Sequence, residues 1–522
     1  MSFVIANASI LIIAIPLLAA FLTPLIGRAS VKARDIFVVT AVAFVGLLVI
    51  LLARDIYANG TVVYTLGASL PDLTIPGGYM VPVRIILEVD GMSIFMGIIW
   101  ATVSLTAAIY SLSHMREETG QDRFYTLFLL MVAGAYGMMF TGDLFNLFVF
   151  LEITSMAGGA LVAFRTRFAD ALEGGFKYIV VSAVAGLMFL FAVGLLYAQY
   201  NLLNIAALAG VMQYTMLDKI ALTLFVMALT IKTGMIPLHM WFADSYTVAP
   251  AGITAMLVIT SHACMYAVFR ICFSLYGVTL DTTTVGWIVI IFGLLSMFVG
   301  VTMAVLQTDV MRFMSYHAIS QLGYMWIGVG VGLAVLGNAE ALAAYGRDAI
   351  AGGIFHILNH AMYKPLLFMT AGALFHYLGH RDMNRMGGLG HNMKLTAIFY
   401  IIGTMSISGI PPFNGFASKF MIYESVYQFN PILAIIAMLV SIITLASFTK
   451  AFQSAFTGPK LPQYKDVKEV PKSMLVGMGI LAAGIIFTSI FPGLVVDHIV
   501  YPAADALINQ AGYINGVMGG MP

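Results

Sequence analysis

Glu152 stands within Leu147-Phe148-Val149-Phe150-Leu151-Glu152-Ile153-Thr154-Ser155, one of the most apolar stretches of this sequence. A lone carboxyl there would stay neutral, whereas beside an ammonium it would ionise. Lys232 is the natural counterpart: at an effective dielectric of about 20, opposite charges 4 Å apart attract by about 4 kcal/mol. Drawing the pair apart, or protonating one member, changes the charge state of the other, so the two read as a switch; the plainer reading is a static buried ion pair. His356, His360 and Lys364 recur every four residues and so stack along one helical face. Two imidazoles and an amine in file suit a proton relay. The same spacing also suits structural polar packing or a metal pair, although Ile357, Leu358 and Asn359 leave no glutamate of the zinc-protease kind between the histidines.

His262, in Ser261-His262-Ala263-Cys264, would alone read as a satisfied core histidine; the lysine before it and the His/Lys file after it favour a functional role. Lys419 reads as a terminal proton-accepting site or as a partner for helix carbonyls, with Glu424 five residues on. His317, with Ser315, Tyr316, Ser320 and Gln321, adds hydration to its segment, and a merely polar core helix is an equal reading. His239, Trp241, Asp244 and Pro250 mark a rim where a helix ends or water enters.

Two segments that position these groups are interrupted. Pro237 follows Lys232 by five residues, and Pro411-Pro412 precedes Lys419. Proline removes a backbone donor and clashes with the preceding turn. Lipid cannot satisfy the freed carbonyl, so each break is expected beside protein or water. Two such breaks roughly 180 residues apart point to the paired repeats of an ion transporter.

The chain has 522 residues, 61% apolar and 9% charged, with net charge +1. Roughly 25% charge is usual in a soluble domain, so the class is an all-α polytopic membrane protein, and the charge balance gives no case for nucleic acid. Spans of about 20 apolar residues are expected near 9–27, 36–53, 91–112, 124–141, 143–164, 176–199, 218–242, 250–277, 285–305, 311–336, 348–378, 395–427, 431–455 and 473–491, fourteen in all. Residues 56–90, including Val62, Val63, Tyr64, Val81, Val83 and Ile85, read as an extended or hairpin excursion, and 492–522 as too polar and Gly-rich to span. With this alternation one side collects sixteen Lys and Arg, among them Arg116, Arg165, Arg381 and Lys472, against Arg54, Arg84, Lys219 and Arg347 on the other. The positive-inside rule then puts both termini outside the cytoplasm. Arg270 and Lys450 are expected to snorkel from helix ends; Lys232, Lys364 and Lys419 are too deep. The first apolar run, which lacks a basic n-region and cleavage motif, is expected to remain as a helix. Cys264 and Cys272 make neither a disulfide nor a metal set by themselves, and no haem or iron–sulfur spacing occurs, so no cofactor is expected.

Several motifs in order resemble one known group. They are Phe145-Asn146-Leu147-Phe148-Val149-Phe150-Leu151-Glu152; Lys232-Thr233-Gly234-Met235-Ile236-Pro237-Leu238-His239-Met240-Trp241 with Ala249-Pro250; Gln307-Thr308-Asp309-Val310-Met311-Arg312 with Ser320-Gln321-Leu322-Gly323-Tyr324; His356 to Lys364; and Gly409-Ile410-Pro411-Pro412 through Lys419. From about residue 90 to 460 the chain resembles the antiporter-like, proton-pumping subunits shared by complex I, Mrp cation/proton antiporters and membrane-bound hydrogenases. The resemblance implies a fourteen-helix core, two inverted five-helix repeats and a hydrated ionisable axis at mid-membrane. It matches Glu152 and Lys232 to the family's glutamate–lysine pair and Lys419 to the last lysine of the axis. His262 falls where many members carry lysine, a departure that keeps proton exchange but not a permanent charge. The length resembles that of the D-type Mrp subunit and its membrane-bound hydrogenase counterpart.

The expected organisation is 1–123 for helices 1–3 with the 56–90 excursion, 124–280 and 281–456 for the two repeats, and 457–522 for the last helix and tail. The expected function is proton translocation along Glu152, Lys232, His262, His356, His360, Lys364 and Lys419, supported by Pro237, His239, His317, Pro411, Pro412 and Glu424. The driving force would be redox chemistry in partner subunits or counter-moving Na+, in a multi-pass subunit of a prokaryotic cell membrane complex. The rival readings are a non-transporting anchor and a cofactor-bearing membrane oxidoreductase.

Overall fold

Apolar runs become helices wherever the chain must satisfy its backbone without water. The computed structural model describes residues 2–66, 74–75, 79–80 and 85–519; Val81, Val83 and Arg84 lie outside the described residues. The long helices are α1 (Ala8–Ala29), α2 (Val31–Asn59), α3 (Gly91–His114), α4 (Gln121–Phe140), α5 (Leu144–Val162), α6 (Ala169–Tyr200) and α7 (Met216–Thr233). There follow α8 (Met240–Val248), α9 (Ala251–Phe269), α10 (Thr282–Val305), α11 (Val310–Ala334) and α12 (Arg347–Leu378). The series ends with α13 (Lys394–Ser408), α14 (Asn414–Phe429), α15 (Pro431–Phe456), α16 (Lys472–Ile490) and the short α17 (Gln510–Met518).

The chain is a multi-pass membrane protein: among the described residues ten helices are long and apolar enough to cross a bilayer. The expected segments outside that set are α7, α11, α12 and the α13–α14 pair, which carry Lys232, His317, the His356–Lys364 file and Lys419. Their polarity is what the site requires, and it lowers the hydropathy by which spans are recognised.

Between α2 and α3, β1 (Val62–Thr65) pairs antiparallel with β4 (Ile86–Val89), Val62 facing Val89 and Thr65 facing Ile86; β2 (Thr74–Ile75) pairs with β3 (Tyr79–Met80). Three aspartates fix helix starts by accepting backbone N–H groups: Asp90 for α3, Asp143 for α5 and Asp309 for α11. Such caps satisfy donors that a helix leaves open at its N-terminus. The tail beyond α16 forms short helices and no span. α9 is buried along its whole length, and α12 packs against α3, α9, α11, α13, α14 and α16. These two helices form the centre of the bundle.

Pro237, Pro411 and Pro412 are exposed on the flank of the bundle rather than enclosed. Neighbouring elements still pair the backbone and the groups near it. Ser296 of α10 accepts from the Ile236 N–H at 3.0 Å, the Trp241 indole donates to the Ile231 carbonyl at 3.0 Å, and Ser441 of α15 donates to the Ser408 carbonyl at 3.1 Å. Gly234 and Gly409, with φ of 76° and 72°, end α7 and α13 in the left-handed region that glycine adopts without a Cβ penalty. Both breaks therefore need only local partners. The first opens sideways on an apolar groove of about 210 Å3 lined by Val226, Met235, Pro237, Ile288, Phe292 and Trp326 among others.

Candidate functional site

α5 presents Glu152 toward the end of α7, where the Lys232 ammonium donates to Glu152 Oε1 at 3.0 Å and to Ser155 Oγ at 2.6 Å. Lys232 is buried; Glu152 keeps 28% of its side-chain surface. Lys232 sits in the last turn of α7, where the carbonyl end of the helix dipole favours a cation. Gly186 of α6 makes room for the carboxylate, since a Cβ there would stand 2.8 Å from Glu152 Cδ and nearer still to Oε1.

Beyond Lys232 lies a small polar cavity of about 10 Å3, roughly the space one water needs. Ser155, Ser182, Tyr246, Thr260 and Ser261 contribute to its wall. It leads from the ammonium to the neighbour of His262. His262 is fully buried on α9, and its Nε2 lies 2.9 Å from His360 Nδ1 of α12. The outer nitrogens of this pair, His262 Nδ1 and His360 Nε2, have no hydrogen-bond partner.

His356, His360 and Lys364 share one face of α12 and are all buried. They do not hydrogen-bond to one another. His356 Nδ1 lies 3.0 Å from Ser418 Oγ and its Nε2 lies 3.3 Å from Gln321 Oε1 and 3.2 Å from the Tyr363 hydroxyl. The Lys364 ammonium has no hydrogen-bond acceptor and lies over the rings of Phe368 and Phe448, at 5.4 and 5.7 Å. An unpaired buried amine between two aromatic faces is costly as a fixed structural group.

Ser418 adjoins Lys419, whose ammonium donates to the Ile407 carbonyl at 2.8 Å and to Ser441 at 2.9 Å, 4.7 Å from the Tyr324 ring. Ile407 lies in the last turn of α13, so both broken segments place a lysine at the carbonyl end of a half-helix. His317 pairs with Ser447 of α15 at 2.8 Å. His239 stands just before α8, half-buried, without a side-chain capping hydrogen bond. Glu424 is exposed and forms no ion pair with Lys419 among the described residues. Five residues along an α-helix is about 140° away from the same face, which explains its departure from the axis.

On the face carrying the basic loops, a cavity of about 480 Å3 is lined by His114, Arg165, Asp170, Asp309, His380 and Arg381 among others. Arg381 bridges Asp170 and Asp309, each at 2.9 Å. At the opposite end Arg270 does not snorkel. It is 3% exposed and ion-paired with Asp90, with Tyr266, Ser93 and Ser274 as further partners. Lys450 is exposed as expected. Both cysteines are free thiols.

Sequence reasoning missed Ser155, Gly186, Ser418 and Ser441. Ser155 is three residues after Glu152, a spacing that puts both on one face; the other three touch the axis only across helices.

Comparison with known proteins gives consistent matches. The model of the NADH:quinone oxidoreductase/Mrp antiporter transmembrane family matches residues 141–444, and that of the N-terminus of complex I NADH-ubiquinone oxidoreductase chain 5 matches 78–125. The chain is 31% identical over 490 residues to the D-type subunit of the Na(+)/H(+) antiporter of Alkalihalophilus pseudofirmus, covering 92% of this chain and 94% of that one. It is 30% identical over 519 residues to the N-type subunit of the NADH-quinone oxidoreductase of Desulforudis audaxviator, covering 95% and 98%. A chain of the Mrp complex from Dietzia sp. superposes with a TM-score of 0.85 at 24% identity, covering 99% of this chain and 100% of that one.

Proposed function

This chain belongs to the NADH:quinone oxidoreductase/Mrp antiporter transmembrane family, and from that premise we propose that it carries protons along the buried axis just described. The observation that carries the reading is the 2.9 Å hydrogen bond between His262 and His360, because it joins the segment before residue 280 to the one after it. With His262 Nε2–H donating to His360 Nδ1, a proton arriving on His262 Nδ1 passes the bridging proton to His360, which releases its own from Nε2. One proton enters, one leaves, and the tautomers have changed.

A proton enters from the basic face, near His239 and Asp244, and resides on Lys232 while Glu152 holds the pair closed. Spreading the pair frees it to cross the small cavity to the histidine bridge. It then passes along the Lys364 and His356 face, where Ser418 leads to Lys419 and release. Pro237, Pro411 and Pro412 set the half-helix ends that present the two lysines, and His317 with Ser447 completes the polar lining.

We read 124–280 and 281–456 as two inverted repeats, with both termini outside a prokaryotic cell membrane and other membrane subunits as partners. The drive is either a partner's redox reaction or counter-moving Na+. The partners decide between the two: nickel or iron–sulfur subunits copurifying with the chain select the redox branch. The test of the axis is proton transport by the intact complex in vesicles. Lys232→Ala and Glu152→Ala are expected to abolish it, and normal pumping by either variant overturns the reading.

A further inference from the structure

Glu88 is not used by the axis, yet it is an enclosed carboxyl at the hairpin end of the molecule. It lies on β4, is 1% exposed, and neither of its oxygens accepts a hydrogen bond of good geometry. Gly142 and Gly516 close over it, with a Cβ at either position 3.3 Å from a carboxylate oxygen, and the Tyr513 hydroxyl of α17 lies beside it.

The charged groups facing it are Asp90, which follows β4, and Arg270, which follows α9; Tyr266 and Tyr513 are the other titratable neighbours. Arg270 is already matched by Asp90. An ionised Glu88 therefore leaves the enclosed cluster with a surplus negative charge, and a protonated Glu88 leaves it neutral. Burial and the nearby Asp90 push its carboxyl well above the ordinary range. A purely structural position would be served by an apolar residue of similar volume, without the cost of an unpaired buried carboxyl.

The cluster is connected to the axis by sequence spacing. His262, Tyr266, Arg270 and Ser274 recur every four residues, so they follow one face from the histidine bridge toward the hairpin. The Tyr266 hydroxyl accepts from Arg270 Nε at 2.9 Å, donates to the Met139 carbonyl at 2.8 Å and lies 2.9 Å from Ser93 Oγ, which reaches Glu88 only at its backbone carbonyl, at 3.5 Å; the Tyr513 hydroxyl neighbours Tyr266 and stands beside the Glu88 carboxyl.

We propose that Glu88 is a proton-exchange carboxyl at the hairpin face, the outer end of a branch that leaves the axis at His262 and runs along α9 through Tyr266. The inference rests on the proton-carrying reading of the axis. A proton delivered through the hydroxyls of Tyr266 and Tyr513 is taken up by the Glu88 carboxylate and given to water when α17 moves aside; each hydroxyl takes up one proton and passes one on.

The experiment uses the intact complex in vesicles, with Glu88→Gln as the isosteric variant that cannot titrate and Tyr266→Phe as a break in the thread. Transport is expected to fall about twofold in both, well short of the roughly 10²-fold that a positioned acid–base group on a sole route contributes, because release at Lys419 stays open. Infrared difference spectra of wild type should show a protonated-carboxyl band that disappears as pH at the hairpin face rises; Glu88→Gln should lose it and Tyr266→Phe should keep it. If Glu152→Ala stops transport while Glu88→Gln leaves both transport and its pH profile unchanged, the branch is wrong and the axis stands. If Glu152→Ala itself pumps normally, the axis reading fails instead. Absence of the infrared band in an assembled wild-type complex overturns the branch independently of flux.

Discussion

Gly186→Ala tests the gate without touching either charged residue. The new methyl would stand 2.8 Å from Glu152 Cδ and nearer to Oε1, so the carboxylate, the free end of a flexible side chain, must retreat by roughly 1 Å to regain ordinary contact. The ion pair then opens from 3.0 Å to about 4 Å. At an effective dielectric near 20 its attraction falls from about 5.5 to about 4 kcal/mol, a loss of roughly 1.4 kcal/mol, or tenfold in the open-to-closed ratio. Alanine also suits a helix interior better than glycine by roughly 1 kcal/mol, so assembly should not suffer. Vesicles holding the complex, given a pH gradient and no driving reaction, should leak protons up to about tenfold faster than wild type by the same Coulomb difference, with coupled transport reduced. An unchanged leak in a fully assembled complex refutes the gate, as does a loss as complete as that of Glu152→Ala.

Three further outcomes are expected. His360→Phe removes the bridge to His262 while filling the space, and should lower proton flux by about 10²-fold or more with normal subunit yield in copurification. Lys419→Arg keeps a positive charge that cannot be released at any accessible pH; flux measured across pH 6–9 should fall to the part that leaves by Glu88, and to background in the double variant with Glu88→Gln, whereas undiminished transport would make Lys419 a fixed charge only. Arg270→Met leaves Asp90 buried and unpaired, which should destabilise the chain by about 3–5 kcal/mol. Thermal melting should report this, and the double variant with Asp90→Asn should recover part of the loss.

Much of the site was legible because ionisable groups in apolar runs are conspicuous. Glu152, Lys232, Lys364 and Lys419 each break a pattern that otherwise reads as lipid-facing or core. What remained hidden were relations between helices. Nothing in the local sequence tells that Gly186 borders Glu152, or that Ser418 reaches His356. Arg270 was misjudged because hydropathy places it near a helix end, while only the folded hairpin puts Asp90 against it. The prolines were legible as breaks, but the groups that pair the backbone near them, Ser296, Trp241 and Ser441, were not, since two of them come from other helices. Glu424 was misplaced by counting residues without counting helical phase.

One helix carries most of the later part of this arrangement. α12 offers His360 to α9, His356 to the segment bearing Lys419 and, one turn beyond His360, an unpaired Lys364, and it packs against α3, α9, α11, α13, α14 and α16 among others. On the proposed axis a charge arriving on this rod is felt at both ends, since the groups it carries are buried and so weakly screened. On that proposal the chain's two sides form one capacitor with a common plate, and loading either one is expected to change the other.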